Sequence, residues 1–486
     1  MKREQEKEAQ KQERKEYRKK NKELYQIMYV FLGLFLCMFG YFVYFVSVDS
    51  KNIINNPYNA RIKNMSKDIL RGDIVARNGE KLATTQVNDD NSETRVYPYG
   101  SVFAHPIGYS TKGTTELEKF SNMYLLHSGV SIKEKLINQL WNKKNQGDTV
   151  VTTLDLGLQM FAYNLLGSQK GAIIAMEPDT GKILAMASTP SYDPNTLNQD
   201  WESIISDTSG NASLLNRASQ GLYPPGSTFK ILTILEYIRE HPDTYKEFSY
   251  TCTGTLQIGE YRLDCHEGHA HGTVDVKSSL ALSCNGALAT MGLDIDPEKF
   301  NDLLEEFGYN EELPIDIEYK KSQFDKTVTS EWDIMQYAIG QGKTLQTPIH
   351  NAMITASVAN GGVMMKPYFI EKIINADGEV VETVTPKAYK TVMTPEESEL
   401  LTEYMTAVVS EGSGSLAGSE YAVVAGKTGS AEYNSNKDKH AWFTGFVPAE
   451  DPEIVFTILI ENGSSGGQVA APMMKQLVDY YYEHVR

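Results

Sequence analysis

The sequence lacks a Gly-rich phosphate loop following a strand, which removes P-loop nucleotide chemistry from consideration. It has no internal repeat and no low-complexity stretch, so neither a solenoid nor a disordered array fits. Positive charge is in deficit: 46 Lys and Arg stand against 63 Asp and Glu, for a net charge of −17. That argues against nucleic acid as a partner. Cysteine is scarce, with four residues in 486. Charge of either sign is missing altogether from Tyr25 to Val48.

That uncharged run is long enough to cross a bilayer as a helix, and aromatics crowd its ends as they do at membrane interfaces. It is too long for a signal-peptide core, and Ser47-Val48-Asp49 is a poor cleavage site, so it reads as a retained anchor. Residues 1–24 hold ten Lys/Arg and six Glu, net +4, which leaves −21 for the remainder. The basic flank keeps the N-terminus in the cytoplasm and sends residues 49–486 outward. Cys37 lies in the anchor. An odd number of cysteines, Cys252, Cys265 and Cys284, faces outward.

A chain of 486 residues has room for two or three domains. The division expected is a cytoplasmic tail (1–24), an anchor (25–48), a non-catalytic region of short mixed segments (49–150) and a larger domain (151–486). Residues 71–83 read as a strand, an Asn78-Gly79 turn and a second strand. Arg71 and Asp73 there read as a packing ion pair. Ser131–Trp141 reads as a short helix, Asp148–Thr153 as a strand, and Leu154–Gly167 as a helix. Gly171–Met176 and Lys182–Ala187 flank Glu177-Pro178-Asp179-Thr180-Gly181 as a hairpin. Helices are expected to dominate from Ser227 to about Asn360. Strands are expected at Tyr421–Val424, Ala441–Val447 and Glu453–Glu461, and a last helix at Pro472–His484. Strands at both ends with helices between them imply an α+β domain whose sheet draws on both ends of the segment.

The chemistry centres on Gly221-Leu222-Tyr223-Pro224-Pro225-Gly226-Ser227-Thr228-Phe229-Lys230. A serine hydroxyl needs a base within hydrogen-bond reach to act as a nucleophile. Three residues of separation on a helix put Ser227 and Lys230 on one face, about 5–6 Å apart at Cβ. The Pro-Pro-Gly run is non-helical and the apolar run after it is helical, so Ser227 falls at a helix N-terminus with free N–H groups nearby. Ser-x-x-Lys alone is weak evidence. Ser283-Cys284-Asn285 lies 56 residues downstream, and Lys427-Thr428-Gly429-Ser430 lies 144 residues beyond that, after an apparent strand at 422–426. The three motifs in this order are a signature of penicillin-binding proteins and serine β-lactamases. In that scheme Lys230 takes the proton of Ser227, and the backbone N–H groups of Ser227 and Ser430 hold the oxyanion. Ser283 relays a proton to the leaving amine. Asn285 holds a substrate amide, Lys427 and Thr428 meet a substrate carboxylate, and Gly429 leaves the strand edge clear.

With these motifs the chain resembles a class B penicillin-binding protein, a monofunctional peptidoglycan D,D-transpeptidase. Arg71-Gly72-Asp73-Ile74 with Asn78-Gly79 resembles the start of the family's pedestal domain. Ala175–Pro178 and Ala187–Asn195 resemble the opening of its transpeptidase domain. Gly340-Gln341-Gly342, Thr347-Pro348 and His440–Phe446 resemble internal landmarks. A glycosyltransferase domain does not fit before residue 150, and the small C-terminal repeat modules of some relatives are not expected. Ser430 departs from the Thr common in relatives. The resemblance implies a penicillin-binding/serine β-lactamase-like fold, an antiparallel sheet flanked by helices on a β-rich pedestal. It implies acylation of Ser227 by a D-Ala-D-Ala stem peptide, transfer to an amine, covalent binding of β-lactams at the same serine, and no cofactor for catalysis. It further implies a bacterial cell membrane location and a SEDS-class glycosyltransferase partner reached through anchor and pedestal.

Cys252, Cys265, His271 and Cys284 form a second constellation, with the residue types of a tetrahedral structural zinc site. Elongation-type members of the family resemble this, with a site ending on a cysteine of the middle motif. A Cys252–Cys265 disulfide, a set of buried free thiols, and zinc with His266 or His269 as the fourth ligand stand beside it. Other functions on the same fold weigh less. A sensor needs further spans or a signalling domain, an inactive scaffold loses Ser227 or Lys230, and a β-lactamase needs a deacylating base that no motif assigns. Carboxypeptidase action differs from transpeptidation only in its acceptor.

Overall fold

In the computed structural model the described residues are 2–46 and 65–486, except 142, 329, 435 and 437. The chain divides into two compact units, residues 1–63 and 64–486. The first holds helix α1 (Lys2–Lys20), polar all round, and α2 (Lys22–Tyr44), which is long and apolar enough to cross a membrane. Residues 47–48 of the expected anchor and 49–64 of the expected pedestal lie outside the described residues.

Early in the second unit come β1 (Ile74–Val75), an Asn78-Gly79 turn, β2 (Lys81–Val87) and β3 (Glu93–Val96). A helix at Ile132–Leu140 follows, capped by Ser131, and then β4 (Thr149–Thr152). Helix α3 (Leu156–Leu166), capped by Asp155, leads into the hairpin of β5 (Gly171–Met176) and β6 (Ile183–Thr189). After the nucleophile motif come α4 (Lys230–Glu240), α5 (Val276–Ala281), α6 (Asn285–Asp294), α7 (Glu331–Ala338) and α8 (Pro348–Ala359). The chain continues through β7 (Ile370–Ile374), β8 (Val380–Thr383), α9 (Pro395–Ser410), β9 (Ala425–Glu432), β10 (Lys439–Val447), β11 (Ile454–Ile460) and α10 (Ala471–His484).

Five strands form an antiparallel sheet in the order β9-β10-β11-β5-β6, built from both ends of the large domain as expected. It is buried on both faces. Ala172, Ile174 and Met176 of β5 enter the core that holds Phe229 and Leu232, while Ile173 and Ala175 enter the core that holds Leu158 and Met474. This is the two-residue alternation of a strand between two helical layers. Helix α8 lies on the first face, and α3 and α10 lie on the second.

Two sequence expectations need correction. Residues 421–424 are not a strand: Tyr421 and Val423 stay exposed, and the ladder with β10 begins at Ala425 opposite Phe446. Pro448 just beyond β10 has no N–H with which to carry the ladder further. The Lys427–Ser430 motif therefore lies inside β9 instead of after a strand. Helices do dominate from Ser227 to Asn360, with two strand pairs set among them: Tyr250–Cys252 pairs with Gly272–Val274, and Thr255–Ile258 pairs with Tyr261–Asp264. These segments carry the Thr, Tyr and Val of strands, and Gly259 at φ +56° turns the second hairpin. Arg71 and Asp73 do take packing roles, but not with each other. Arg71 pairs with Glu118, and Asp73 pairs with Lys81.

A second sheet of six strands runs β8-β7-β4-β1-β2-β3. Its β7-β8 hairpin comes from residues 370–383, more than 200 residues after β4, with which β7 pairs. Ile373 opposite Val150 stitches the two segments through the core.

Candidate active site

Ser227 lies in a short 3₁₀ turn, Gly226–Thr228, that runs into α4. The turn is held from four sides. Tyr223 exchanges both backbone hydrogen bonds with Gln346, at 3.0 and 2.8 Å. The indole N–H of Trp442 donates to the Pro224 carbonyl at 3.1 Å. The Tyr223 hydroxyl donates to Glu461 at 2.8 Å, and the Arg217 guanidinium holds the same carboxylate oxygen at 2.8 Å. Gly226 N–H donates to the Gly340 carbonyl at 2.8 Å, and a Cβ on Gly340 would lie 2.2 Å from the Gly226 oxygen. Only glycine allows so close an approach at a φ of +71°.

Lys230, one turn on, is fully buried. Its ammonium donates to the Ser283 carbonyl at 2.8 Å, the Ser283 hydroxyl at 3.2 Å and Asn285 Oδ1 at 2.7 Å. Lys427, also fully buried, reaches the Ser283 hydroxyl from the other side at 3.0 Å and the Thr428 carbonyl at 3.0 Å. Ser283 thus bridges two lysines from a left-handed backbone, φ +55°, between α5 and α6. A non-glycine residue in that region is strained unless its surroundings hold it, and such strain gathers at functional sites. Burial lowers the pKa of Lys230 to about 8. Burial lowers Lys427 as well, and the neighbouring charge of Lys230 adds to the effect. A lysine brought toward neutrality is able to accept a proton near neutral pH.

Thr428 shares a hydrogen bond of 2.8 Å with Ser413, and the Ser430 hydroxyl accepts from Gly466 N–H at 3.1 Å. Gly429 serves a purpose beyond a clear edge. A Cβ there would meet Pro225 O at 3.1 Å and Thr228 Cγ2 at 3.2 Å, so its absence lets the nucleophile turn sit against β9. Structure therefore brings Ser283, Asn285 and Lys427 onto Lys230, and Thr428, Gly429 and Ser430 alongside. Sequence reasoning named Gly340 and Trp442 only as landmarks, without their roles in holding the turn, and it missed Glu461 and Ser413.

The second constellation is also assembled. One ligand atom each from Cys252, Cys265, His271 and Cys284 lies within 4.8 Å of all the others. Cys252 and Cys265 Sγ are 3.6 Å apart, Cys265 and Cys284 3.9 Å, and Cys252 Sγ and His271 Nδ1 3.4 Å. The thiols are free, so the 252–265 disulfide alternative is not the form seen. Tetrahedral ligation with metal–sulfur bonds of ~2.3 Å separates the sulfurs by about 3.8 Å, which these spacings fit. Cys284 turns away from the cleft while Ser283 and Asn285 face it. Asn285 Nδ2 donates to the Asp264 carbonyl at 2.8 Å, tying the middle motif to the cysteine loop.

A helical serine–lysine pair against the edge of a five-stranded antiparallel sheet, with a serine between two buried lysines, defines a serine acyl-transferase of the penicillin-recognising fold. The chain belongs to the penicillin-binding protein transpeptidase family, in its class B form. The family profile for the penicillin-binding protein transpeptidase domain matches residues 171–479, and that for the penicillin-binding protein A dimerisation domain matches residues 71–150. Peptidoglycan D,D-transpeptidase PbpA of Mycolicibacterium smegmatis is 31% identical over 86% of this chain and 90% of its own length. Peptidoglycan D,D-transpeptidase MrdA of Escherichia coli is 27% identical over 79% of this chain and 71% of its own. Penicillin-binding protein A of Mycobacterium tuberculosis, solved as a penicillin G acyl-enzyme complex, superposes with a TM-score of 0.76 at 27% identity over 85% of this chain and 99% of that one.

Proposed function

We propose that this protein is a peptidoglycan D,D-transpeptidase whose nucleophile is Ser227. The observation that carries the reading is the Ser283 hydroxyl set between Lys230 and Lys427, at 3.2 and 3.0 Å, with Lys230 one turn on from Ser227. Neutral Lys230 accepts the Ser227 proton as the oxygen attacks the carbonyl of a D-Ala-D-Ala amide. The carbon–nitrogen bond breaks, Ser283 relays the proton held by Lys230 to the departing D-Ala amine, and an ester to Ser227 remains. Backbone N–H groups of Ser227 and Ser430 hold the oxyanion. Asn285 orients the substrate amide, and Lys427 with Thr428 meets the terminal carboxylate. An amine of a second stem peptide then takes the acyl group. The reaction needs no cofactor. Penicillin acylates the same serine.

Cys252, Cys265, His271 and Cys284 hold a structural zinc ion in this reading. Bound there, the ion would brace Cys284, and with it Ser283 and Asn285, from behind the cleft. The finer organisation follows the sequence: a basic cytoplasmic tail (1–24), an anchor (25–48) in the bacterial cell membrane, a partner-binding pedestal (49–150) and an extracytoplasmic transpeptidase domain (151–486). A SEDS-family glycosyltransferase is the partner proposed for anchor and pedestal.

Mass spectrometry of the full chain in detergent tests these points. Penicillin should add covalently to Ser227, and the Ser227→Ala variant should gain no adduct. An adduct that hydrolyses within seconds would favour a β-lactamase. A native mass heavier by one zinc, lost on denaturation, would support the metal, and a denatured mass lighter by two hydrogens would replace it with a disulfide.

A further inference from the structure

β9 is the edge strand of the central sheet, and β10 covers only one of its sides. Its open side therefore offers backbone N–H and C=O groups at every second residue. Those groups belong to Thr428, Ser430 and Glu432. The Thr428 carbonyl accepts from Lys427 Nζ at 3.0 Å in the cleft. Glu432, two pairs along, is not open. With its amide oriented to suit its neighbours, the Gln341 side chain donates to the Glu432 carbonyl at 3.1 Å and accepts from the Glu432 N–H at 3.0 Å. This is the double hydrogen bond that a residue of an added strand would make. Gln341 is placed there by Gly340, which lies against the Gly226 carbonyl of the nucleophile turn.

The consequence for substrate follows from the strand direction and rests on the transpeptidase reading. A donor that puts its reacting carbonyl at Ser430 N–H and its carboxylate toward Lys427 runs antiparallel to β9. Its acyl residue pairs with Ser430, and the residue two positions upstream meets Glu432. Gln341 occupies that position. We infer that Gln341 determines donor specificity by limiting the peptide to one hydrogen-bonded residue pair on β9, so that the chain upstream must leave the strand.

The test compares two thioester donors with the full-length protein in detergent: N-acetyl-D-alanyl thioglycolate, and the same thioester lengthened N-terminally by a dipeptide. In Gln341→Ala the freed Glu432 groups become available to the long donor. The ratio of its KM to that of the short donor should fall on the order of 5-fold for each hydrogen bond gained, with the ratio of kcat values unmoved. Gln341→Glu keeps the acceptor for the Glu432 N–H and forfeits the donor to its carbonyl. It should shift the KM ratio in the same direction by a smaller factor, and it serves if Gln341→Ala does not fold. An unchanged KM ratio, whether both constants move together or neither moves, would overturn the inference and leave Gln341 a support for the hairpin tip. Failure of the short donor to acylate Ser227 in the unaltered protein would instead sink the transpeptidase reading.

Discussion

The molecule buries charge in two places and handles it in opposite ways. In the pedestal, Arg71 and Arg95 converge on Glu118, whose side chain is wholly buried, through charge-assisted hydrogen bonds; that of Arg95 is 2.8 Å long. Burial pushes the Glu118 carboxyl up, and the two guanidiniums outweigh it, so its pKa lies below the usual value. In the active site, Lys230 and Lys427 are as deeply buried, yet among the described residues neither pairs with a carboxylate; both share the neutral Ser283 hydroxyl. A paired buried charge stays charged and holds two segments together. An unpaired one sheds its proton more easily, and that is what a general base requires. The same desolvation thus makes a fastening in one region and a reagent in the other.

Changing one residue in each region separates chemistry from stability. Ser227→Ala should cut acylation by penicillin by ~10⁴-fold or more while the melting temperature holds, since a half-buried hydroxyl is all that is removed. Glu118→Gln should do the reverse. It leaves two buried guanidiniums without a counter-charge and should cost about 3–5 kcal/mol in denaturant unfolding, with the folded fraction still acylated at the normal rate. Equal loss of activity and stability in both variants would break the comparison.

The pH response sharpens it. Acylation needs neutral Lys230, so its rate should rise with pH through about 8 and then level, a gain of roughly 100-fold over its value at pH 6. Because Lys230 is depressed below its ordinary 10.5, the unfolded chain binds the proton more tightly, and stability should climb between about 8 and 10.5. Glu118 acts at the other end. Its contribution is present above 4.5 and is lost as pH falls through its lowered folded value. A flat acylation profile from 6 to 10 would remove Lys230 as the base. The smallest effect belongs to a partly exposed pair between the pedestal and the large domain, Lys119 with Glu318 at 2.7 Å. Lys119→Ala should change unfolding free energy by less than about 1 kcal/mol.

Much of the site was legible before the fold was known, because local chemistry writes itself into short stretches. The Pro224-Pro225-Gly226 run is non-helical and the apolar run after it is helical, so the place of Ser227 could be read from its neighbours. Ser283-Cys284-Asn285 and Lys427-Thr428-Gly429-Ser430 could be recognised from their residue types and their order after Ser227. Legibility ended where a contact joined distant segments. The strand expected at 421–424 began later because its partner, β10, stops at Val447. The Arg71–Asp73 pair dissolved because Glu118 and Lys81 were nearer in space.

What the sequence alone determined is the set of reagents and their local frames: an uncharged span, a serine and lysine one turn apart, a Ser-x-Asn, a Lys-Thr-Gly, and three cysteines with a histidine. Tertiary structure decided which of them meet. Ser283 lies 53 residues from Lys230 and 144 from Lys427, and only the packing of α5 and α6 on α4, with Lys427 of β9 reaching the turn between them, puts its hydroxyl between their ammonium groups. Residues 370–383 join the pedestal sheet, and Gln341 stands in for a strand on β9, for the same reason. Hydrogen-bond partners on a sheet edge are selected by position in space, and nothing in either partner's own neighbourhood names the other.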